Sequence, residues 1–196
     1  MEKKEAKKMI SAVVLAGGNS RRMGTNKALI VWEGMTFLER IYHVLLKEFS
    51  NIYVSGPKEW YENLGYNCIE DRYPQIGPLG GLASIFETIT SEWVFVVSCD
   101  TPFLTGDVIE LLQRHASKEN IQAVFCKVNG KDMPLVGFYH KSSLQAIQQQ
   151  IALSNFRIMD FLDKIKYEVI DLPEELSTQL LNVNTKDDFT SKNSFF

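Results

Sequence analysis

Short apolar runs alternate along this chain with segments whose apolar residues recur every three or four positions. Residues 93–98 read Trp-Val-Phe-Val-Val-Ser, an unbroken run typical of a strand buried on both faces of a parallel sheet. Between Phe37 and Phe49, by contrast, the apolar residues recur at helical spacing. Because strand and helix patterns keep alternating, we predict an α/β fold with three layers, in which helices cover both faces of a mostly parallel sheet.

The same patterns predict the bounds of the elements. Strands are predicted at 10–16, 52–54, 68–69, 93–98, 123–128, 135–139 and 168–172. Helices are predicted after a capping-box pattern at 36–39, from a glycine segment to about residue 88, at 107–116, 142–151 and 158–164, and after residue 185. The sequence contains no internal repeat, low-complexity run or linker, so we predict that residues 1–196 form a single domain.

The first predicted strand runs directly into a glycine-rich segment. Residues 13–27 read Val-Val-Leu-Ala-Gly-Gly-Asn-Ser-Arg-Arg-Met-Gly-Thr-Asn-Lys. The pair Gly17 and Gly18 lets backbone N–H groups approach a ligand closely, and amides directed at one point bind anions. Because cations follow within the same segment, the simplest ligand is a polyphosphate.

Two better-known phosphate-binding loops do not fit this segment. The mononucleotide loop requires Gly-Lys followed by Ser or Thr, whereas residues 26–28 read Asn-Lys-Ala. The dinucleotide fingerprint requires the spacing G-x-G-x-x-G, which Gly17, Gly18 and Gly24 do not supply.

Two aspartates follow predicted strands, at the edge of a parallel sheet where ligands bind. Asp100 ends the most hydrophobic strand, where a carboxylate is costly unless it is paired or bound to metal. Mg²⁺ on nucleotide phosphates is held by one or two carboxylates, so Asp100 is a candidate metal ligand. Asp71 could accept hydrogen bonds from a ribose or base. The alternatives are that Asp100 caps the next helix or turn and that Asp71 is a simple turn aspartate.

Three further features extend the candidate site. Lys27 would reach phosphates as a point charge, and Arg22 could bridge them with its planar guanidinium. The segment 77–81, Gly-Pro-Leu-Gly-Gly, opens a helix with small residues, so a base and ribose could lie against its backbone at Gly80. A tight contact between helix and sheet explains these glycines equally well.

Composition sets the broad class of the protein. The hydrophobic fraction of 45% and the charged fraction of 23% are ordinary for a soluble globular protein. A net charge of -3 argues against nonspecific binding of nucleic acid. The apolar run at 10–16 is too short to span a bilayer, so we expect no membrane association. The three cysteines form no C-x-x-C pair, which favours a reducing, cytoplasmic location without disulfides or zinc.

The glycine-rich segment matches the signature of nucleotidyltransferases, roughly L-A-G-G-x-S-x-R-M-G-x-x-K. More closely, nearly the whole chain resembles the molybdenum cofactor guanylyltransferases. The matching patches are 15–27, 70–71, 77–81, 99–102 and 182–185. This resemblance implies a Rossmann-like nucleotidyltransferase fold. It also favours Arg22 over Arg21, because Arg22 matches the Arg-Met-Gly of the family.

The resemblance also implies roles for individual residues. Residues implied to contact GTP are Leu15, Ala16, Gly17, Lys27, Asp71 and Asp100. Asp100 is implied to bind Mg²⁺ as well, while Asn182 and Asn184 would face the pterin acceptor. By local pattern alone, these two asparagines are equally expected to form Asx-turns. Two departures are that Lys186 replaces a frequent proline and that Ser55 stands where the family can offer an asparagine.

The implied activity is transfer of GMP from GTP to the terminal phosphate of (molybdenum-)molybdopterin, with release of pyrophosphate. Arg22, Lys27 and Asp100 would be the catalytic residues, and transient contacts with proteins of cofactor biosynthesis or with acceptor proteins are expected. Two alternatives stay open. One is a nucleotidyltransferase that uses CTP or another nucleotide on a pterin or sugar phosphate. The other is a non-catalytic carrier of nucleotide or pterin.

Overall fold

The computed structural model describes residues 10–18, 26–180 and 183. Within these ranges the strands are β1 (Ile10–Leu15), β2 (Val31–Trp32), β3 (Met35–Thr36), β4 (Asn51–Ser55), β5 (Cys68–Ile69), β6 (Trp93–Ser98), β7 (Ala123–Val128), β8 (Lys131–His140) and β9 (Tyr167–Asp171). The helices are α1 (Phe37–Glu48), α2 (Lys58–Tyr61), α3 (Pro78–Thr88), α4 (Gly106–Ala116), α5 (Leu144–Ala152), α6 (Ile158–Leu162) and α7 (Glu174–Ser177).

A seven-stranded sheet with the order β5-β4-β1-β6-β8-β7-β9 forms the centre of the described structure. β1 is parallel to β4 and β6, β4 is parallel to β5, and β7 is parallel to β9. β8 lies antiparallel to both β6 and β7. β2 and β3 form a separate small antiparallel sheet. The predicted α/β fold with a mostly parallel sheet is confirmed.

The direction of β8 follows from a tight hairpin. Asn129 and Gly130 both have positive φ, 49° and 77°, as a two-residue hairpin turn of the Asn-Gly type requires. Because this turn connects β7 directly to β8, β8 begins at Lys131. The prediction of a strand at 135–139 was therefore too short. It missed the Asn-Gly signal, which fixes where the second strand of a hairpin starts.

The helices divide between the two faces of the sheet, as predicted. Successive residues of β1 alternate, so that Ala12 and Val14 join one buried cluster and Val13 joins the other. The first cluster includes the apolar residues of α1 and α4, and the second includes those of α3, α5 and α6. Because both faces are covered, β1 and β6 are almost wholly apolar.

Local sequence sets the helix starts. The capping box at the start of α1 is present: Thr36 Oγ1 accepts from the Glu39 amide at 3.1 Å, and Glu39 Oε2 accepts from the Thr36 amide at 2.6 Å. The residue before α4 is Thr105, so Asp100 does not cap this helix.

The helix predicted after residue 185 lies outside the described residues, and the single domain over 1–196 stays a prediction. None of the helices within the described ranges has the length and apolar character needed to cross a bilayer.

Candidate functional site

The register of the sheet brings four strand ends into one row. Leu15 of β1 pairs with Ser55 of β4 and with Ser98 of β6, and Ser55 pairs with Ile69 of β5. These strands are parallel, so the segments that follow them leave from the same edge. Those segments contain Gly17, Gly56, Asp71 and Asp100. The structure thus brings together at one edge the glycine turn and both aspartates that the sequence predicted there.

The backbone beyond β1 stays close to its neighbours. The Ala16 amide donates to the Ser55 carbonyl over 2.8 Å, and the Leu15 carbonyl accepts from the Cys99 amide over 3.1 Å. Ala16 is buried, whereas Gly17 and Gly18 are exposed. The strand end is therefore fixed by hydrogen bonds, and the chain surfaces at the glycine pair. A contact of Leu15, Ala16, Gly17 or Gly18 with GTP stays a prediction.

Asn26 and Lys27 begin a short 3-10 turn, Lys27–Leu29. Asn26 caps this turn, because its Oδ1 accepts from the Ala28 amide over 3.1 Å. Lys27 is half-exposed, and Ala28 behind it is fully buried. The buried alanine anchors the turn that carries the predicted phosphate-binding lysine.

Lys27 and Asp100 both lie close enough to Cys99 to affect its ionisation. Burial raises the pKa of the Cys99 thiol to about 12; the Asp100 carboxylate adds to this rise and the Lys27 ammonium opposes it. The lysine and the aspartate therefore share one neighbourhood beyond β6. A thiol with so high a pKa stays protonated near neutral pH, as expected for a residue that packs and does not attack.

A closed turn carries Asp100. The amide and the hydroxyl of Thr101 both donate to the Ser98 carbonyl, at 3.3 and 2.8 Å. Asp100 is half-exposed, and among the described residues its carboxylate has no hydrogen-bonding or ionic partner. The turn thus holds the backbone through Thr101 and leaves the Asp100 side chain for other contacts.

Asp71 combines a turn role with an accessible position. Its Oδ1 accepts from the Tyr73 amide over 2.8 Å and from the Ser84 hydroxyl over 3.2 Å. The first bond is the Asx-turn that was the alternative to ligand binding. Both bonds use one carboxylate oxygen of a half-buried residue. The predicted contact between Asp71 and the nucleotide stays a prediction.

The glycines at the start of α3 are required by packing. A Cβ on Gly80 would lie 2.6 Å from the Tyr73 carbonyl oxygen, and one on Gly81 would lie 3.3 Å from Leu15 Cδ2. Gly80 therefore lets α3 approach the loop that holds Asp71, and Gly81 lets it approach the sheet. This is the packing alternative weighed for these glycines, and a contact of Gly80 with nucleotide stays a prediction.

Three predicted site residues, Arg22, Asn182 and Asn184, lie outside the described residues. The residue between the two asparagines, Val183, is described. It is buried, and its amide donates to the Asp100 carbonyl over 2.9 Å. This bond attaches the predicted acceptor segment to the predicted metal ligand.

Sequence reasoning missed several residues that build the site. Tyr61 is fully buried, and its hydroxyl bonds both the Ala16 carbonyl and the Asn26 side chain. Gly56 lies against the glycine turn, since a Cβ there would be 3.2 Å from the Gly17 nitrogen. Ser84 supports the Asp71 turn, because its hydroxyl also accepts from the Arg72 amide over 2.8 Å. The local sequence carries no signal for Tyr61, because its neighbours Trp60 and Glu62 are exposed while Tyr61 itself is buried.

The described residues contain no cluster of three or more His, Cys, Asp or Glu side chains that could hold a metal ion by themselves. Asp100 offers a single carboxylate, which fits an ion that takes its other ligands from phosphates and water. A separate cleft of about 530 Å³, lined in part by Trp93, Lys118 and His140, lies at the start of β6. It is at the opposite edge of the sheet and includes none of the predicted site residues.

A family model described as MobA-like NTP transferase domain matches residues 12–167. The chain belongs to this family. The matched range begins in β1 and ends at the start of β9, so it contains every described strand end of the candidate site. The resemblance inferred from the sequence motifs is thereby confirmed, and the protein is an enzyme of the nucleotidyltransferase class.

Curated relatives of this MobA-like chain agree in length and in name. A probable molybdenum cofactor guanylyltransferase of Bacillus cytotoxicus is 33% identical over 190 residues, which cover 93% of this chain and 95% of the relative. A relative with the same name from Carboxydothermus hydrogenoformans is 31% identical over 185 residues, covering 92% and 93%.

A solved structure extends the match to the fold. The molybdopterin-guanine dinucleotide biosynthesis protein A of Archaeoglobus fulgidus superposes with a TM-score of 0.79 at 21% identity, covering 94% of this chain and 97% of its own. At this identity the likeness supports the fold alone. Nucleotidyltransferases generally use a divalent metal ion. The single carboxylate of Asp100 is a candidate ligand for such an ion.

Proposed function

We propose that this protein transfers GMP from GTP to the terminal phosphate of (molybdenum-)molybdopterin, forming the molybdopterin guanine dinucleotide cofactor and releasing pyrophosphate. The observation that carries the proposal is the row of strand ends. In a chain of the MobA-like family, it brings the glycine turn, Asp71 and Asp100 to one edge of the sheet. Relatives named for this activity match over more than nine-tenths of the chain.

The reaction joins two anions, so positioning and charge neutralisation dominate its barrier. An oxygen of the acceptor phosphate forms a bond to the α-phosphorus of GTP. The bond from that phosphorus to the bridging oxygen breaks in line, and pyrophosphate leaves with the electron pair. No residue of the protein has to form a covalent intermediate, which agrees with the raised pKa of the half-buried Cys99 thiol.

The residues at the edge of the sheet divide this work. The exposed backbone at Gly17 and Gly18 would bind phosphate oxygens through N–H groups, and Lys27 would add positive charge beside them. Arg22 is proposed to bridge the phosphates from its place in the same loop. Asp71 would accept from the ribose or base, while its Oδ1 keeps the turn closed. Asn182 and Asn184 are proposed to bind the acceptor.

Asp100 is the proposed ligand of Mg²⁺. Its carboxylate is half-exposed at the strand end, and none of the described side chains hydrogen-bonds or ion-pairs with it. When bound, Mg²⁺ would neutralise phosphate charge and orient the triphosphate. The turn hydrogen bonds at Thr101 fix the backbone on which this carboxylate is carried.

The deciding experiment measures pyrophosphate release from GTP, CTP, ATP and UTP with Mg²⁺, with and without molybdopterin. GTP-specific release that requires the pterin is expected. In the Asp100→Ala variant this rate should be at least about a hundredfold lower, because the variant lacks the proposed ligand of the ion that neutralises and orients the phosphates. Asp163→Ala is the matched control, since Asp163 is exposed at the opposite edge of the sheet.

The outcomes separate the alternatives. Pyrophosphate release from CTP alone would show cytidylyl transfer instead of guanylyl transfer. GTP binding without release of pyrophosphate would favour a non-catalytic carrier. We also propose a cytoplasmic location and transient contact with proteins that supply or receive the cofactor. Cell fractionation tests the location, and crosslinking during cofactor synthesis tests the contact; recovery with membranes would contradict the first.

A further inference from the structure

One buried hydroxyl joins the two ends of the glycine-rich loop. The Tyr61 hydroxyl donates to the Ala16 carbonyl over 2.8 Å, and Asn26 Nδ2 donates to the Tyr61 oxygen over 2.8 Å. Asn26 Oδ1 lies farther from the same hydroxyl, at 3.2 Å, so the Ala16 carbonyl is the closer acceptor for the hydroxyl hydrogen. Tyr61 therefore uses its single hydrogen on Ala16 and its oxygen on Asn26.

The two bonded residues flank the proposed phosphate-binding groups. Ala16 directly precedes the glycine pair, and Asn26 directly precedes Lys27. Because the tyrosine oxygen bonds to both, it sets how far apart the entry and the exit of the loop lie. A change at Tyr61 would thus move Gly17 and Lys27 relative to one another without removing either.

The ring of Tyr61 is packed in one of the two buried clusters. Its side chain is fully buried, and a Cβ on Gly56 would lie 2.9 Å from Tyr61 Cε2. Burial raises the pKa of Tyr61 to about 12. The hydroxyl consequently keeps its proton near neutral pH and donates a hydrogen bond to the Ala16 carbonyl.

We propose that Tyr61 is a positioning residue for the triphosphate, which fixes the spacing of Gly17 and Lys27 through its bonds to Ala16 and Asn26. Tyr61 does not touch the substrate in this arrangement. The inference rests on the proposed function only in taking the glycine-rich loop as the phosphate-binding element. It holds for any nucleotide or acceptor that this loop serves.

Tyr61→Phe tests this role, because it deletes the hydroxyl and keeps the ring that packs on Gly56. Titration calorimetry of the full chain with GTP and with pyrophosphate, each with Mg²⁺, should show about tenfold weaker binding of both, the effect of losing a buried hydrogen bond that orders the site. The KM for GTP should rise by the same factor, whereas the KM for the acceptor should not change.

Ser11→Ala is the matched control. Ser11 lies at the other end of β1, is buried, and bonds the Ser91 hydroxyl over 2.7 Å. This variant also loses one buried hydroxyl, so it should be destabilised like Tyr61→Phe but keep the native affinity for both ligands. Asn26→Ala leaves the tyrosine ring intact and should weaken binding too. The double variant should be less impaired than the sum of the two single effects.

Native affinity of Tyr61→Phe for GTP and pyrophosphate would overturn the inference, as would strictly additive effects with Asn26→Ala. If Tyr61→Phe does not fold, Asn26→Ala alone decides, and unchanged affinity there also overturns it. Failure of the proposed function is a separate result. A native protein that binds GTP but releases no pyrophosphate would disprove the transfer, while the binding shifts would still decide the role of Tyr61.

Discussion

At the scale of single residues, Gly18 and Gly80 were both expected at the nucleotide, but their surroundings differ. A Cβ on Gly18 would have no atom of the described residues within 4 Å, whereas one on Gly80 would lie 2.6 Å from the Tyr73 carbonyl oxygen. Gly18→Ala should therefore leave the free energy of unfolding within about 0.5 kcal/mol of the native value. Gly80→Ala should lower it by about 1–3 kcal/mol, because the loop at Tyr73 must move.

The affinity for GTP separates the two glycines further. If phosphates lie against the backbone at Gly18, the added methyl group of Gly18→Ala should weaken GTP binding in a protein of native stability. Urea unfolding and calorimetry on both variants check the pair. Unchanged GTP affinity in Gly18→Ala would remove Gly18 from the site, and native stability of Gly80→Ala would contradict the packing role.

At the scale of the element, α1 depends on its capping box and therefore on pH. Hydrogen bonding to the Thr36 amide lowers the pKa of Glu39 in the folded protein. A lowered folded pKa means that this carboxylate stabilises the protein above its unfolded pKa, and that the contribution is lost as the pH falls through the folded value. Thr36→Ala should cost about 1 kcal/mol near neutral pH, since it removes the cap hydroxyl.

Glu39→Gln isolates the pH-dependent part of the capping box's contribution to the free energy of unfolding. Its deficit in the free energy of unfolding should be largest near neutral pH and should shrink in acid, as the pH falls through the lowered pKa of the native glutamate. Urea unfolding of native protein and variant near neutral pH and in acid measures this difference. A deficit that stays the same at the two pH values would show that the charge of Glu39 contributes nothing to the helix start.

The elements also show what the sequence can and cannot predict. The strand at Trp93–Ser98 and the helix at Phe37–Glu48 were found because their apolar periodicity reflects burial in the folded protein. The direction of β8 does not follow from its apolar run, because such a run carries no sign of direction; it follows from the Asn-Gly turn at 129–130. Tyr61 was missed because its partners, Ala16 and Asn26, are distant in sequence.

At the scale of the whole molecule, the candidate site lies where the ends of four parallel strands meet segments that return to the same edge from beyond β6. The parallel strands β5, β4, β1 and β6 bring their ends to the candidate nucleotide site. Beyond β6, β8 starts at the same edge, because it runs antiparallel and pairs Val136 with Val97. The chain then returns to this edge at Val183, whose amide bonds the Asp100 carbonyl. Asp100 therefore lies where the nucleotide side meets the segment proposed to bind the acceptor.

This arrangement predicts that nucleotide binding stabilises the entire fold. A ligand at about 100 times its Kd adds about 2.7 kcal/mol to the free energy of unfolding. For a chain of this length, that raises the Tm by about 5–10 °C. GTP with Mg²⁺ should give this shift, and the other nucleoside triphosphates at equal concentration should give less. Asp100→Ala should lose the part of the shift that depends on Mg²⁺, because it lacks the proposed metal ligand.

Thermal unfolding followed by circular dichroism, with each nucleotide and with Mg²⁺ or a chelator, measures these shifts. Mg²⁺ without nucleotide is the control, because a single carboxylate should bind the ion weakly when phosphates are missing. Equal shifts from all four nucleotides would exclude base selection in the free enzyme and assign it to the acceptor complex. If Asp100→Ala responded to GTP and Mg²⁺ like the native protein, the metal would have to be held elsewhere.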